Sequence, residues 1–453
     1  MILGATIAAM TVACSDSVGT APPSAAASAD IAVNSNRTLA AEVRALAAAR
    51  GIVPLVRPAR VRPELVRLGR MLAFDKVMSG NRDISCMSCH QPQFATGDAR
   101  SLPIGAGGVG LGTDRVQRHG AAIIPRNSPS AFNLFALDGL FWDGRVSHDA
   151  TGYHTPAGAQ LTAAYTQVFE FGAASAQGMF PLTSHEEMRG PGRSNELARI
   201  DDADFQGIWR GVMNRLGDIR EYREMFEKAY PGKRFNKMNL AYATNAIAGF
   251  FTENLSFNNT PWDRFLAGDD RALSKDQLDG AKQFLTLKCS VCHNGASFSD
   301  QRFHNVALAQ FGPGEGNGPG GHDDYGRMNV TGLAADKYSF RTTPLRNVEL
   351  TGPYGHAGQF ATLRGFIAHY SRSDDALRNY DVSQVNPASL RPTLIHDAAD
   401  ILATRDTLLD GVVLTDALIN QLTAYMTALT DPAARHINRL APFRVPSGLP
   451  VDR

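Results

Sequence analysis

The chain has 453 residues, with 45 Lys and Arg against 44 Asp and Glu, for a formal net charge of +1. Near-neutrality argues against a nucleic-acid partner, since a phosphate backbone is met by a basic excess. The length gives room for two or three domains, and four of the five cysteines fall in two pentapeptides, leaving no disulfide to form.

Ile2 to Ala13 is a short apolar run without charge. It is too short to span a bilayer and small residues follow it, so residues 1–14 read as a secretory signal, although the usual basic start is missing. Thr11-Val12-Ala13-Cys14-Ser15 also resembles the bacterial lipobox, whose cysteine is acylated and becomes the mature N-terminus. The alternative is cleavage a few residues later, which discards Cys14 and releases a soluble periplasmic protein. Residues 15–40 read as a flexible linker, because Ser15 to Asn36 is Ala, Ser, Pro and Thr with almost no charge, a composition that cannot bury a core.

Beyond the linker helical patterns recur and convincing alternating strands do not, so the fold class is mainly α. Val61 to Phe74 sets Leu65, Leu68, Met71 and Leu72 on one face and ends before Cys86-Met87-Ser88-Cys89-His90. Gly105 to Gly110 formally matches G-x-G-x-x-G, but no strand precedes it and no helix pattern follows, so it reads as a flexible loop and not a dinucleotide site. Asp204 to Phe257 is a helical connection. Ser274 with Gln277 forms a capping box, and Leu278, Ala281, Phe284 and Leu285 follow at helical spacing into Cys289-Ser290-Val291-Cys292-His293. Phe311 to Gly326 is a second Gly-rich loop, and Leu418, Leu422, Tyr425 and Leu429 make an apolar stripe that Asp431-Pro432 terminates. Pro446 to Asp452 reads as an ordered tail without chemical role.

C-x-x-C-H is the attachment signature of c-type haem. Two thiols one helical turn apart form thioethers with the vinyl groups, and the following imidazole binds the iron. A thioredoxin-like pair does not require the trailing histidine, and half a zinc site needs further ligands at short range. Neither accounts for two complete copies. The expected organisation is therefore two tandem class I cytochrome c-like domains with one covalent haem c each. The first, peroxidatic in the reading below, covers 41–257 with the helical connection, the second 258–431, and 432–453 is a tail.

Leu68-Gly69-Arg70, Ser79-Gly80-Asn81, Pro125-Arg126-Asn127, Phe141-Trp142-Asp143-Gly144-Arg145, Glu187-Met188, Asp324-Tyr325-Gly326-Arg327 and Leu345 to Tyr354 follow one another in order. With the two haem motifs, this series resembles the bacterial dihaem cytochrome c peroxidases, in the superfamily that includes the methylamine-utilisation protein MauG. The resemblance runs from roughly Arg60 to Thr430. It implies that the haem at Cys86, Cys89 and His90 is peroxidatic and that the haem at Cys289, Cys292 and His293 admits electrons, with His90 and His293 as proximal ligands. His119, six residues before Pro125, matches the histidine that caps the peroxidatic haem at rest; its alternative is a solvated loop histidine. Glu187, ten residues after Gln177, resembles the distal Gln/Glu pair and would move a proton between the peroxide oxygens, whereas Glu186 reads as a solvated face. Trp142 resembles the ring between the haems, with core packing as its alternative. Asn127, Thr351 and Pro353 match positions whose oxygens surround a calcium ion between the domains. His356 is structural or at a haem edge.

The chain departs from the peroxidases at Tyr370, fourteen residues after His356. There a Met binds the electron-entry iron in the reductively activated enzymes, and MauG-type proteins carry this Tyr. A phenolate stabilises ferric iron, so a lower potential is expected. The stretch from Arg145 to Gln177 is also longer than in compact peroxidases; Tyr153, His154 and Tyr165 there shape pocket access or lie on a surface loop. Three functions follow. The first is a periplasmic peroxidase that reduces hydrogen peroxide to water with electrons from a small c-type cytochrome or cupredoxin. The second is a MauG-type oxidase that modifies aromatic residues of a partner protein, and the third a non-catalytic electron carrier. A lipid anchor at Cys14 and a homodimer are compatible with each.

Overall fold

The computed structural model describes Met1, residues 25–118 and residues 120–453, with side chains described at Met1 and from residue 36 onward. Cys14 and His119 lie outside the described residues. No helix among the described residues is long and apolar enough to cross a membrane.

The first correction concerns the linker. Residues 25–40 are not linker-like but belong to a helix, α1 (Ala25–Ala49). Its alanines favour helix intrinsically, and Ala40, Val43 and Ala47 form a buried stripe. That stripe packs into the apolar cluster around Trp262, Phe284 and Tyr425. Arg44 pairs with Asp270 at 2.6 Å and Glu42 with Lys282 at 2.8 Å. The Ala, Ser, Pro and Thr composition points to a tether, but a stripe of short side chains is enough when a partner helix supplies the rest of the interface.

The chain is mainly helical. α2 (Pro63–Phe74) leads to a single turn, α3 (Cys86–Cys89). α4 (Gly172–Gln177) follows, and the expected helical connection resolves into α5 (Phe205–Asp218), α6 (Arg220–Ala229) and α7 (Leu240–Asn254). Next come α8 (Pro261–Leu266), α9 (Lys275–Thr286) and the turn α10 (Cys289–Cys292), then α11 (Leu363–His369) and α12 (Asp416–Ala428). Sheet is confined to a small antiparallel β1-β2-β3 (Gly139–Leu140, Val146–Asp149, Gly152–His154) and a pair β4 and β5 (Phe303–His304, Phe340–Arg341).

Both halves use one device. α2 buries Leu65, Leu68 and Leu72 against α7, where a Cβ on Gly69 would lie 1.8 Å from the Ala246 carbonyl oxygen. α9 buries Leu278, Ala281, Phe284 and Leu285 against α12, where a Cβ on Gly280 would lie 2.0 Å from the Gln421 carbonyl oxygen. A glycine thus lets two backbones touch ahead of each C-x-x-C-H segment, Gly69 seventeen residues before Cys86 and Gly280 nine before Cys289. The Ser274–Gln277 capping box forms as expected. On α12 the stripe shifts slightly, since Ile419 is buried in addition to Leu422 and Tyr425 while Leu418 is half-buried.

The chain ends cross over. The segment after Asp431 returns to the first half, where Val445 is buried with Leu72, Tyr222 and Phe226. Arg70 donates to the Leu440 carbonyl at 2.7 Å, Ser447 Oγ donates to Asp75 at 2.6 Å, and Lys76 pairs with Asp452 at 2.6 Å. Tyr153 and Tyr165 also pack on this core, stacked on His148 and tilted against Trp209, so they serve packing there.

Candidate haem and peroxide site

Each C-x-x-C-H segment folds the same way. The thiols are unpaired and two to a helical turn, and burial raises Cys86 and Cys289 to about 11 and Cys89 to about 12. Nδ1 of His90 lies 3.0 Å from the Thr96 carbonyl oxygen, and Nδ1 of His293 lies 3.1 Å from that of Phe298. A carbonyl only accepts, so Nδ1 carries the proton in both rings and Nε2 keeps its lone pair. Burial lowers both imidazoles, which favours the neutral, ligating form. The two acceptor residues are themselves left-handed, Thr96 at φ 64° and Phe298 at φ 57°. β-Branched and aromatic residues rarely adopt that conformation, and here it turns each carbonyl toward its histidine. Sequence carried no signal for this.

The residues fit a haem in a further respect. Nη1 of Arg341 is buried without a hydrogen-bond partner, and burial lowers that guanidinium to about 10. A buried cation without a carboxylate calls for an anion, and porphyrin propionates are anions. The neighbouring Thr342 hydroxyl is likewise unpartnered.

Glu187 lies in a π-helical turn, His185–Arg189, of a kind frequent at functional sites. Its N–H donates to Ser184 Oγ at 3.1 Å, and its carbonyl accepts from Ala106 N–H at 2.9 Å. The Gly105 stretch is therefore a buried bed and not a flexible loop. A Cβ on Gly105 would lie 1.5 Å from the Glu186 carbonyl oxygen, and Arg115 donates to the carbonyls of Ile104, Gly105 and Gly110. Burial raises the Glu187 carboxyl, Arg145 opposes this from 3.6 Å, and Glu315 and Glu186 add to the rise. Glu187 also lies within electrostatic reach of Cys89. Glu186 is exposed and accepts from Ser184, a solvated role. Asp98, buried beside the first motif with one oxygen unpartnered, is raised to about 7 by burial.

Arg145 opens a chain of buried charges. Asp143 accepts from Arg145 at 3.1 Å and from Arg126 at 2.6 Å, and Arg126 clasps Asp324 through two bonds of 2.6 and 2.8 Å. Trp142 is buried beside it, with its indole N–H on the Asn127 carbonyl at 2.8 Å and its own carbonyl accepting from Arg341 N–H at 2.8 Å. Trp142 thereby joins the two halves of the chain.

Gln177 ends α4 half-buried, and no hydrogen bond joins it to Glu187. Tyr370 follows α11 with its ring 5.4 Å from Phe366, within electrostatic reach of Cys292 and Cys289, its hydroxyl without a partner among the described residues. Burial holds that phenol well above its usual range. His369 is turned away, Nε2 donating to the Val306 carbonyl at 2.8 Å. His356 is buried, stacked on Phe340 at 3.6 Å with Gln310 and Gln359 around it, and burial lowers it to about 3. Asn127 spends its amide N–H groups on the carbonyls of Arg100 and Ser101, which leaves its side-chain oxygen free. The Thr351 hydroxyl donates to Val348 O at 3.2 Å, and Pro353 borders Gly358, whose carbonyl accepts from Ser101. Cys292, Asp300 and His304 also gather, with the ring nitrogens of His304 on the carboxylates of Asp406 and Asp300.

The family model described as Di-haem cytochrome c peroxidase matches residues 63–271. The cytochrome c551 peroxidase of Pseudomonas aeruginosa is 32% identical, over 66% of this chain and 70% of that protein. The chain belongs to the dihaem cytochrome c peroxidase and MauG superfamily. That family carries haem c, and the donor set described above fits it. MauG of Methylorubrum extorquens is 26% identical, over 69% of this chain and 70% of that protein. A solved MauG-like protein associated with microbial copper homeostasis shares the fold, with a TM-score of 0.60, 24% identity and coverage of 86% of this chain and 97% of that one.

Proposed function

We propose that the protein is an exported dihaem peroxidase that converts hydrogen peroxide, two protons and two electrons to two waters. The observation that carries this reading is Glu187, a carboxyl held on a π-turn beside the first motif, raised by burial and steadied by Arg145. The haem supplies the redox chemistry of O–O cleavage. Glu187 takes the proton from the inner peroxide oxygen and gives it to the outer one, with Gln177 beside the peroxide. His90 and His293 would hold the irons through Nε2, and Trp142 would serve the electron route between them. His119 would hold the first iron in the resting protein. Two tandem haem domains, a calcium ion held by oxygens of Asn127, Thr351 and Pro353, a periplasmic location and a small cytochrome or copper protein as donor belong to the same reading. Glu187→Gln should lower peroxide turnover on the order of 10²–10⁴-fold; unchanged turnover removes the assignment.

Tyr370 favours a second reading, a MauG-type oxidase that modifies aromatic residues of a partner protein. A phenol with a free hydroxyl in reach of the second motif supports it. On this reading Tyr370→Met abolishes the long-lived oxidising state formed with peroxide, seen by rapid-scan absorption; persistence of that state in the variant contradicts it.

A further inference from the structure

The two attachment turns are built alike but not held alike. The third residue of the first motif is Ser88, fully buried, and its counterpart in the second is Val291, 40% exposed. Ser88 Oγ accepts from Ser85 N–H at 2.8 Å, which caps α3, and donates to one carboxylate oxygen of Asp452. The other Asp452 oxygen pairs with Lys76 at 2.6 Å, and the two side chains are only 13% and 15% exposed. Among the described residues Lys76 has no other ion pair. The Ser88 carbonyl in turn accepts from the side chain of Gln91 at 2.7 Å, just past His90.

The segment after Asp431 also reaches the far side of this histidine. Ala434 and Ile437 are buried against Ala95, the residue before Thr96, whose carbonyl lies 3.0 Å from Nδ1 of His90. Between these two points Val445 is buried in the first core, and Ser447 is fixed to Asp75 by its N–H at 3.2 Å and its hydroxyl at 2.6 Å. One segment thus touches both the turn that leads into His90 and the loop that receives its ring, and partners of that kind orient a ligating imidazole. In the second half the turn Cys289–Cys292 presents Val291 to solvent instead.

We propose that Asp452 is a positioning residue for the first haem: by holding Ser88 and Lys76 together it fixes the turn that carries Cys86, Cys89 and His90, and with it the direction in which His90 presents Nε2. The proposal rests on the reading of His90 as the proximal ligand. On that reading the first iron presents one face to peroxide, so His90 is the side chain that must hold it during turnover, whereas the second iron keeps both His293 and Tyr370. A carboxylate that accepts from a hydroxyl and pairs with an ammonium fixes both more firmly than a neutral bond would. Its removal leaves the largely buried Lys76 without a counter-charge. Asp452 acts on His90 through Ser88.

The test uses the haem-loaded protein with Asp452→Ala and, separately, Ser88→Ala, a milder change at a place where the second motif manages without a hydroxyl. Each should make the amides of residues 85–91 exchange hydrogen about tenfold faster while those of 288–294 stay unchanged, and each should shift the electron paramagnetic resonance signal of the first haem but not that of the second. The double variant should go no further than Asp452→Ala alone, since both substitutions remove the same bond. Unaltered exchange with an unaltered first-haem signal overturns the proposal. So do equal changes at both motifs, which would mark a general loosening of the fold, and so do effects that add in the double variant. If the unsubstituted protein shows no histidine-ligated haem at the first motif, the reading of His90 fails and this role of Asp452 falls with it; if it does and both variants are silent, the role of Asp452 alone fails.

Discussion

His304 lies between two carboxylates, with Nε2 3.0 Å from Asp300 and Nδ1 2.5 Å from Asp406, while Asp300 N–H donates to the Cys292 carbonyl at 2.7 Å. With the Cys292 thiol free, the bonds to Asp300, then to that thiol, then to Asp406 outweigh partial burial and raise the imidazole from 6.5 to about 11; once Cys292 is a thioether the two carboxylates alone hold it up. A raised pKa stabilises the fold fully below the unfolded value and ceases to do so as pH climbs through the folded one. His304→Gln should therefore lower the Tm most below about pH 6.5, with the deficit shrinking as pH climbs through the raised folded value; a deficit that grows with pH contradicts the assignment. At this scale the sequence revealed residues whose chemistry is local. Cys86, Cys89, His90 and their counterparts were legible because haem attachment fixes covalent spacing. The carbonyls of Thr96 and Phe298, the bed under Glu187 and the unpartnered Nη1 of Arg341 were not, because each depends on a backbone turn or a contact far along the chain.

Helices α2 and α9 were legible from their apolar faces: the four residues selected on α9 are buried, and on α2 Leu65, Leu68 and Leu72 are, while Met71 is only partly buried and Ala73 and Phe74 are buried as well. The glycines between them and their partner helices were passed over, since a glycine in a helical pattern ordinarily signals weakness. Here it marks contact between backbones. Gly280→Ala should cost about 1–3 kcal/mol or more, because its Cβ meets the Gln421 carbonyl oxygen at 2.0 Å and not a flexible side chain. Thermal unfolding of the variant measures this, and an unchanged Tm would show that α12 yields freely. α1 was misread because composition alone does not reveal a docking partner. The loop at Gly105 was misread because glycine suggests mobility wherever sequence hides what packs against it.

Across the whole molecule the two halves are tied three ways. α1 lies on the second core, the segment after Asp431 lies on the first, and between them Arg126 binds Asp143 from its own half and Asp324 from the other. All three residues of that last tie are buried. Removing one partner of such a cluster leaves an uncompensated charge, so the seam beside Trp142 is fixed by electrostatics as well as by packing. The mainly helical class was legible throughout. The seam was not, because Arg126 and Asp324 lie 198 positions apart and only the fold assembles them. The central claim, peroxide reduction behind a reductively opened first haem, is tested most directly by stopped-flow absorption on mixing hydrogen peroxide with the fully oxidised and with the half-reduced haem-loaded protein. The account predicts rapid reaction of the half-reduced form alone. Rapid reaction of the fully oxidised form would contradict a gate at His119 and favour the Tyr370-marked oxidase, and no reaction in either state would contradict peroxidase function altogether.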